Sequence, residues 1–424
     1  MIASELASES KNIHILIVDD EPINRRVLQN HLTIAGYTIN ETSSGKEALA
    51  LLESGLNFDM ILLDIMMPGM SGYEVCERIR KKYGASELPI VLLTAKNAVS
   101  ELVQGFSSGA NDYLTKPFSK NELLSRIKTH INLNGIHKAT SKFVPAEFIK
   151  SVGKDSITDV VLGDHIEKDV TVLFTDVRDY THLAETMTPQ QNFKFVNAYV
   201  GRMGPIIQQN KGFVNQYLGD GIMALFPHES EHALDAAIEM QRTLAVYNQR
   251  RTGKGYVPIA VGMGLHTGPL VMGIIGDEQR NDPAIIADTV NTASRTEGVT
   301  KHYGVNIIIS EDSLNTIDNT DDFNFRYLGK VKVKGKEKNI GIYECFDGDD
   351  SDSIALKIET LEDYKKGLSY FSSNQFAKAA VAFEKVLDKN PNDSVAKYFI
   401  TKSAEYTIAG VPKDGEMVHT MREK

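Results

Sequence analysis

Short apolar runs, each ending in a polar or charged residue, punctuate the first third of the chain. Ile13–Val18, Met60–Leu63, Pro89–Thr94 and Tyr113–Lys116 have the length and continuity of strands buried on both faces. Helix-period stretches alternate with them. Pro22 opens one, with Val27, Leu28 and Leu32 predicted on its apolar side, and Ser119–Leu133 is another, with Leu123, Leu124, Ile127 and Ile131 on one side. The alternation predicts a doubly wound α/β domain over residues 12–133.

Beyond residue 165 the order becomes mixed. Thr171–Phe174 reads as a buried strand that stops at Asp176. Thr188 and Pro189 form a helix start, a cap followed by a first-turn proline, and Phe193, Val196, Val200, Met203 and Ile207 repeat at helical spacing as its predicted core stripe. Gly212–Tyr217 and Ile222–Phe226 read as a hairpin around Asp220, with Gly219 and Gly221 expected to supply unusual turn angles. A helix follows over Glu231–Arg250. Ile259–His266 and Leu270–Ile275 read as a second hairpin with a Gly-rich turn. Asp288–Tyr303 is a helix, and Val305–Ser310, Tyr327–Lys334 and Asn339–Phe346 are strands. An α+β domain with antiparallel pairing is expected over residues 166–346.

Three stretches lie outside these domains. Residues 134–165 are neither Gly/Ser-rich nor repetitive, and read as a helical connector rather than a floppy tether, with an inert spacer as the alternative. Asp347–Ser353 reads as an acidic linker. Helical stretches near Leu361–Ser372, Phe376–Asn390 and Ser394–Thr407 predict a short all-α tail over residues 355–424.

At 424 residues the chain is too long for one ordinary core. Its 46 basic and 56 acidic side chains argue against general nucleic-acid binding. Cys76 and Cys345 fall in different expected domains, which fits a reducing cytoplasm better than a disulfide framework. No apolar run approaches membrane-spanning length, and residues 1–11 lack a signal-peptide pattern, so a soluble intracellular protein without a transmembrane segment is expected.

In a doubly wound sheet, function collects at the carboxyl ends of the strands. Here that edge presents Asp19, Asp20, Asp64, Thr94 and Lys116. The set resembles a response-regulator receiver domain with a parallel five-stranded sheet. The resemblance implies that Asp64 accepts a phosphoryl group from a histidine kinase. Asp19 and Asp20 would hold Mg2+ with Asp64, Thr94 and Lys116 would bind the phosphoryl oxygens, Tyr113 would be an aromatic switch, and the Lys116–Pro117 peptide would be cis. The chemistry agrees, because a carboxylate becomes a usable nucleophile when cations offset the charge of an incoming phosphate.

Asp176 and Asp220 are carboxylates at strand ends, suited to two divalent cations on a polyphosphate. Asn291 and Arg295 lie one helical turn apart and share a face, where they could orient and stabilise a reacting phosphorus. These pieces resemble the class III nucleotide cyclases, whose domain is a ferredoxin-like mixed sheet. The resemblance implies that Asp176 and Asp220 hold two Mg2+ or Mn2+ ions, that Asn291 orients the ribose, that Arg295 stabilises the transferred phosphate, and that Lys334 contacts the terminal phosphates. It also implies a homodimer, with the acids from one subunit facing the Asn and Arg of the other, converting ATP to cyclic AMP and pyrophosphate.

Three positions depart from the family pattern. Gln216 stands where the base is usually read by Lys or Glu, Ala284 stands where its partner is usually Asp, Thr or Cys, and Ala287 replaces a Gly. A glutamine offers both a donor and an acceptor and suits either purine, whereas alanine offers neither. GTP as substrate, or a degenerate cyclase that binds a nucleotide or a partner protein without turnover, therefore stand as alternatives. His266, beside a Gly-rich stretch, reads as a structural histidine. In the tail, Gly367, Tyr370, Ala379, Phe383 and Pro391 resemble the register of a tetratricopeptide repeat. Too few repeats stand there for independence, so the tail is expected to pack on the cyclase domain or its copy, or to dock another protein.

Overall fold

Alternating strand and helix patterns resolve into two units, Met1–Val144 and Pro145–Lys424. The computed structural model describes residues 13–95, 105–277, 279–332, 339–411 and 418–420.

In the first unit the apolar runs become β1 (His14–Val18), β2 (Thr38–Thr42), β3 (Met60–Asp64), β4 (Ile90–Thr94) and β5 (Asp112–Thr115). They pair in parallel in the order β2-β1-β3-β4-β5. All residues of β3 and β4 are buried, as strands covered by helices on both faces must be. The Pro22–Ile34 helix buries Leu28 and Leu32, but Val27 is 43% exposed and does not belong to the core. The helix expected over Ser119–Leu133 runs on over Lys120–Thr140. Gly72 opens the Gly72–Arg80 helix where a Cβ would lie 2.3 Å from the Asp64 carbonyl oxygen, so a glycine lets this helix start against the end of β3.

The second unit starts with a short helix, Ala146–Ser151, that buries Phe148 and Ile149. Its sheet is built from β6 (His165–Val177), β7 (Phe213–Leu218), β8 (Gly221–Phe226), β9 (Val261–Gly276), β10 (Asn281–Ile286), β11 (Ile307–Ser310), β12 (Phe325–Lys332), β13 (Asn339–Cys345) and β14 (Val418–Thr420). The order is β14-β12-β13-β11-β9-β6-β8-β7, with β10 folded onto β9. Pairing is mostly antiparallel, and β11 runs parallel to β9.

Strand β9 corrects the expected hairpin. Instead of turning at Thr267–Pro269 it runs straight through, paired with β6 from His165↔Gly273 to Val177↔Val261. Its glycines serve the approach of a helix, not a turn. A Cβ on Gly264 would sit 2.0 Å from the Glu297 amide nitrogen, and one on Gly268 2.9 Å from Thr289 Oγ1. The Asp288–Tyr303 helix therefore lies directly on one face of β9, through Thr289, Thr292, Ala293, Thr296 and Thr300. The opposite face is covered by the Pro189–Gln209 and Ser230–Thr252 helices.

The first of these helices starts with a reciprocal Thr188–Gln191 capping box. Its buried stripe is Phe195, Tyr199, Met203, Ile206 and Ile207. Of the predicted stripe, Met203 and Ile207 are buried and Val196 and Val200 pack against the core, but Phe193 is 72% exposed and lies outside it.

The tail comprises the Ser351–Ser372, Phe376–Lys389 and Ser394–Ala409 helices. Tyr364, Leu368, Phe371, Phe383 and Phe399 form one apolar cluster with Val299, Tyr303, Ile308, Leu328 and Ile342 of the preceding domain. Gly367 gives Phe383 room, since a Cβ there would lie 2.8 Å from its ring. Tyr370 is largely outside this core, and Tyr364 holds the buried position. The acidic stretch before the tail is not a loose linker. Asp347 accepts from Asn324, Asp349 from Asn306 and Lys357, and Asp350 caps the helix that starts at Ser351.

Candidate functional site

The first unit gathers its polar residues where parallel strands end. Asp19 follows β1, Asp64 closes β3, Thr94 closes β4 and Lys116 follows β5. Asp19, Asp20 and Asp64 each bring a carboxylate oxygen within 4.8 Å of the others. Asp19 is fully buried and held in place by the Glu21 amide at 2.9 Å and the Asn24 side chain at 3.2 Å. The Lys116 ammonium donates to Asp19 Oδ2 at 2.7 Å and to Asp64 Oδ1 at 2.6 Å. Burial pushes the Asp64 carboxyl above its ordinary range, and Lys116 only partly offsets this. Burial alone would lower the Lys116 ammonium, but its two carboxylate partners hold it above normal. Three hard oxygen donors in one hollow fit Mg2+. Thr94 is buried, and Tyr113 is half-buried at 6.0 Å from the Phe106 ring, centroid to centroid. Both line a small cavity beside Ile65. The Lys116–Pro117 bond is cis.

In the second unit, Asp176 is the penultimate residue of β6, and Asp220 sits in the two-residue turn between β7 and β8. Gly219 takes φ +69°, the left-handed angle expected of it. Gly221 does not, and its role is steric: a Cβ there would lie 3.0 Å from the Thr175 carbonyl oxygen. That close approach brings the turn onto the end of β6. The Val177 amide donates to Asp220 Oδ2 at 3.2 Å. Burial first, and the Asp176 carboxylate second, push the Asp220 carboxyl up to about 6. Two carboxylates crowded into a partly buried corner fit divalent cations, which would supply the missing positive charge and polarise a bound phosphate.

Asn291 and Arg295 occupy a different place. Asn291 is exposed and Arg295 half-buried, on the side of their helix turned away from the sheet contacts of Thr289, Thr292 and Thr296. Thr289 stands over Gly268, six strand positions along from Gly262, which pairs with Asp176. At about 3.3 Å per residue, Asp176 and the start of this helix are about 20 Å apart along the sheet. The helix then runs back along β9, with Glu297 packed on Gly264 and Gly262, so Asn291 lies near the far end and Arg295 about halfway back. Among the described residues neither makes a hydrogen bond or ion pair with Asp176 or Asp220.

Gln216 is exposed on β7, and Ala284 is half-buried on β10. Ala287 precedes the first turn of the Asp288–Tyr303 helix without a side-chain cap. Lys334 lies outside the described residues. His266 is buried and bonded to Ser310 Oγ at 2.8 Å, as a structural histidine should be. Sequence reasoning missed Arg178. Its amide donates to the Ala260 carbonyl at 2.8 Å, and its guanidinium reaches the Thr300 and Val305 carbonyls. It thus ties the end of β6 to the far end of the helix that carries Asn291 and Arg295. No local pattern marks such a contact, because the carbonyls its guanidinium reaches lie more than a hundred residues away in sequence.

Residues 15–128 match the response regulator receiver domain family, and residues 164–344 match the adenylate and guanylate cyclase catalytic domain family. An adenylate cyclase of Anabaena cylindrica is 41% identical over 233 residues, covering 53% of this chain and 46% of that protein. The transcriptional regulatory protein ResD of Bacillus subtilis is 46% identical over 121 residues, covering 28% of this chain and 48% of that protein. Among solved structures, the adenylyl cyclase CyaB from P. aeruginosa is 27% identical with a TM-score of 0.39, covering 43% of this chain and 95% of that chain. The chain spans about half the length of these two curated relatives. No helix among the described residues is long and apolar enough to cross a membrane. With the aspartate hollow at the ends of β1 and β3 and the paired acids at the end of β6 each inside a matched family, the chain is a response regulator receiver domain followed by a class III adenylate/guanylate cyclase domain.

Proposed function

We propose that this chain is a homodimeric nucleotide cyclase that converts ATP to cyclic AMP and pyrophosphate under control of Asp64 phosphorylation. One observation carries the reading. Among the described residues of one chain, Asn291 and Arg295, on the outward side of their helix, share no hydrogen bond or ion pair with Asp176 or Asp220, which supports the reading that each pair is half of a site that a second copy completes. Asp176 and Asp220 would hold Mg2+ or Mn2+, which when bound supplies charge to the triphosphate and lowers the barrier for ribose 3′-oxygen attack on the α-phosphorus. Asn291 of the facing subunit fixes the ribose, and Arg295 stabilises the charge gathering on the α-phosphate. Lys334 is proposed to contact the terminal phosphates.

In the receiver domain, Asp64 takes the phosphoryl group from a histidine kinase, with Mg2+ held by Asp19, Asp20 and Asp64. Lys116 must then leave its ion pair with Asp64 and bind a phosphoryl oxygen, and Thr94 takes another. That exchange, with Tyr113 beside Thr94, biases the receiver between two states, and the cyclase halves follow.

Purified protein with ATP and Mn2+ should release cyclic AMP, at a rate that changes when acetyl phosphate or a kinase modifies Asp64. Asp64→Asn should remove the change while keeping the basal rate. Absence of any cyclic product in both phosphorylation states sinks the reading. Gln216 and Ala284 leave one rival open, turnover of GTP, because neither side chain commits to one purine. Parallel assays with both purines decide between them.

A further inference from the structure

A cleft of about 380 Å³ opens inside the second unit, between the cyclase sheet and the C-terminal helices. Leu244, Ile259 and Val305 give it apolar walls, and Asn390 lines it from the tail. Asn390 is only 5% exposed, yet its side-chain amide has no hydrogen-bond partner among the described residues. With no protein partner, this amide has its hydrogen bonds completed by solvent in the cleft or by a ligand that displaces that solvent. Asn392 lines the cleft from an exposed position, and two other amides there are committed. Asn248 both donates to and accepts from the Ile259 backbone, at 2.7 and 2.8 Å, and Asn306 donates to Asp349 at 2.8 Å.

Charge narrows the occupant. Three carboxylates line the cleft, Asp349, Asp350 and Asp393, against one ammonium, Lys357. Lys357 is already bound to Asp349 at 2.5 Å and Glu344 at 2.6 Å, and Asp393 to Arg326 at 2.5 Å. A phosphate would meet net negative charge with no free cation in this lining to receive it. The volume suits a molecule of about nucleoside size.

We propose that this cleft is a second ligand site, for a small uncharged molecule of about nucleoside size whose edge presents both a donor and an acceptor to the Asn390 amide. The site lies apart from the catalytic acids but abuts the strand that carries one of them. Ala260, on its floor, accepts the Arg178 amide, and the Val305 carbonyl accepts the Arg178 guanidinium, two residues from Asp176. Occupancy is therefore sensed at the end of β6.

Hydrogen–deuterium exchange of the full chain tests this with millimolar adenosine, guanosine, cytidine and uridine, and with adenosine 5′-monophosphate for comparison. At least one nucleoside should slow exchange about threefold or more in peptides spanning 304–306 and 390–394, with the monophosphate giving less. Asn390→Ala should abolish the protection. So should Ala245→Trp, which fills the cleft from an exposed helix position and leaves the core intact. No protection by any nucleoside overturns the proposal, as does protection that survives both substitutions, or protection confined to peptides 216–220 and 284–291, which would assign binding to the catalytic cleft.

Discussion

The backbone amide of Val177 donates to the Asp220 carboxylate, across 43 residues of sequence, and so fixes that side chain beside Asp176. One strand end and one turn thereby become a single acidic corner. Asp220→Ala should lower kcat by about a hundredfold or more, with a smaller change in KM, because the lost charge acts chiefly on the transition state. Asp220→Asn keeps the shape and the Val177 contact but removes the charge, and should fail equally. An Asn variant with near-normal kcat would show that shape, not charge, is what this corner contributes.

The glycines of β9 set how deeply the Asp288–Tyr303 helix seats. A methyl on Gly264 would collide with the Glu297 backbone, which cannot rotate away as a side chain could. Gly264→Ala should therefore destabilise the domain by about 1–3 kcal/mol and displace Arg295 with its helix. Thermal unfolding and cyclase rate should fall together, whereas an unchanged Tm would mean that the helix has slack.

A buried charge network fastens the tail. The Arg326 guanidinium bonds Glu344 and Asp393, and Lys357 bonds Glu344 and Asp349, with the Tyr364 ring 4.8 Å from Arg326. Arg326→Met would strand the buried Asp393 carboxylate and leave Glu344 with Lys357 alone, and should cost about 3–5 kcal/mol, read as a lower Tm. Burial alone would raise the Asp393 carboxyl, but Arg326 more than offsets it and the group sits below its ordinary value. Its contribution is thus complete above about pH 4, the unfolded carboxyl's pKa, and is lost as pH falls further through the folded one. Lys357 is held above its ordinary value by Glu344 and Asp349 against the opposing effect of burial. Its contribution is complete below about pH 10 and is lost as pH rises through the folded pKa. Unfolding followed from pH 3 to 11 should show wild type losing stability at both ends, and Arg326→Met lacking the acid arm. Identical acid arms would mean that the network contributes nothing.

How much of this was legible in the sequence depended on how local the cause is. The receiver strands end in the residues proposed to do its chemistry, so apolar runs and their last residues placed Asp19, Asp64, Thr94 and Lys116 at one edge of the sheet. Thr188 and Pro189 announced their helix for the same reason. The errors arose where the deciding partner is distant. Thr267, Gly268 and Pro269 look like a turn, but their glycine answers to Thr289 on a helix twenty residues later. Phe193 and Phe195 both fit a helical stripe, and only the sheet beneath chooses Phe195. The acids of Asp347–Asp350 read as solvated until Asn306, Asn324 and Lys357 are brought to them. The separation of Asp176 from Asn291 is likewise a property of the β6–β9 register, which no single segment encodes.

That separation is the central claim, and mixing two inactive variants tests it most directly. Asp176→Ala lacks an acid half-site, and Arg295→Ala lacks the half-site offered to a partner. Each alone should be inactive. After subunit exchange, half of the dimers are mixed, and each mixed dimer holds one site with all residues intact, so activity should recover to about a quarter of wild type. If each chain instead builds its own complete site, the mixture stays as dead as its parts.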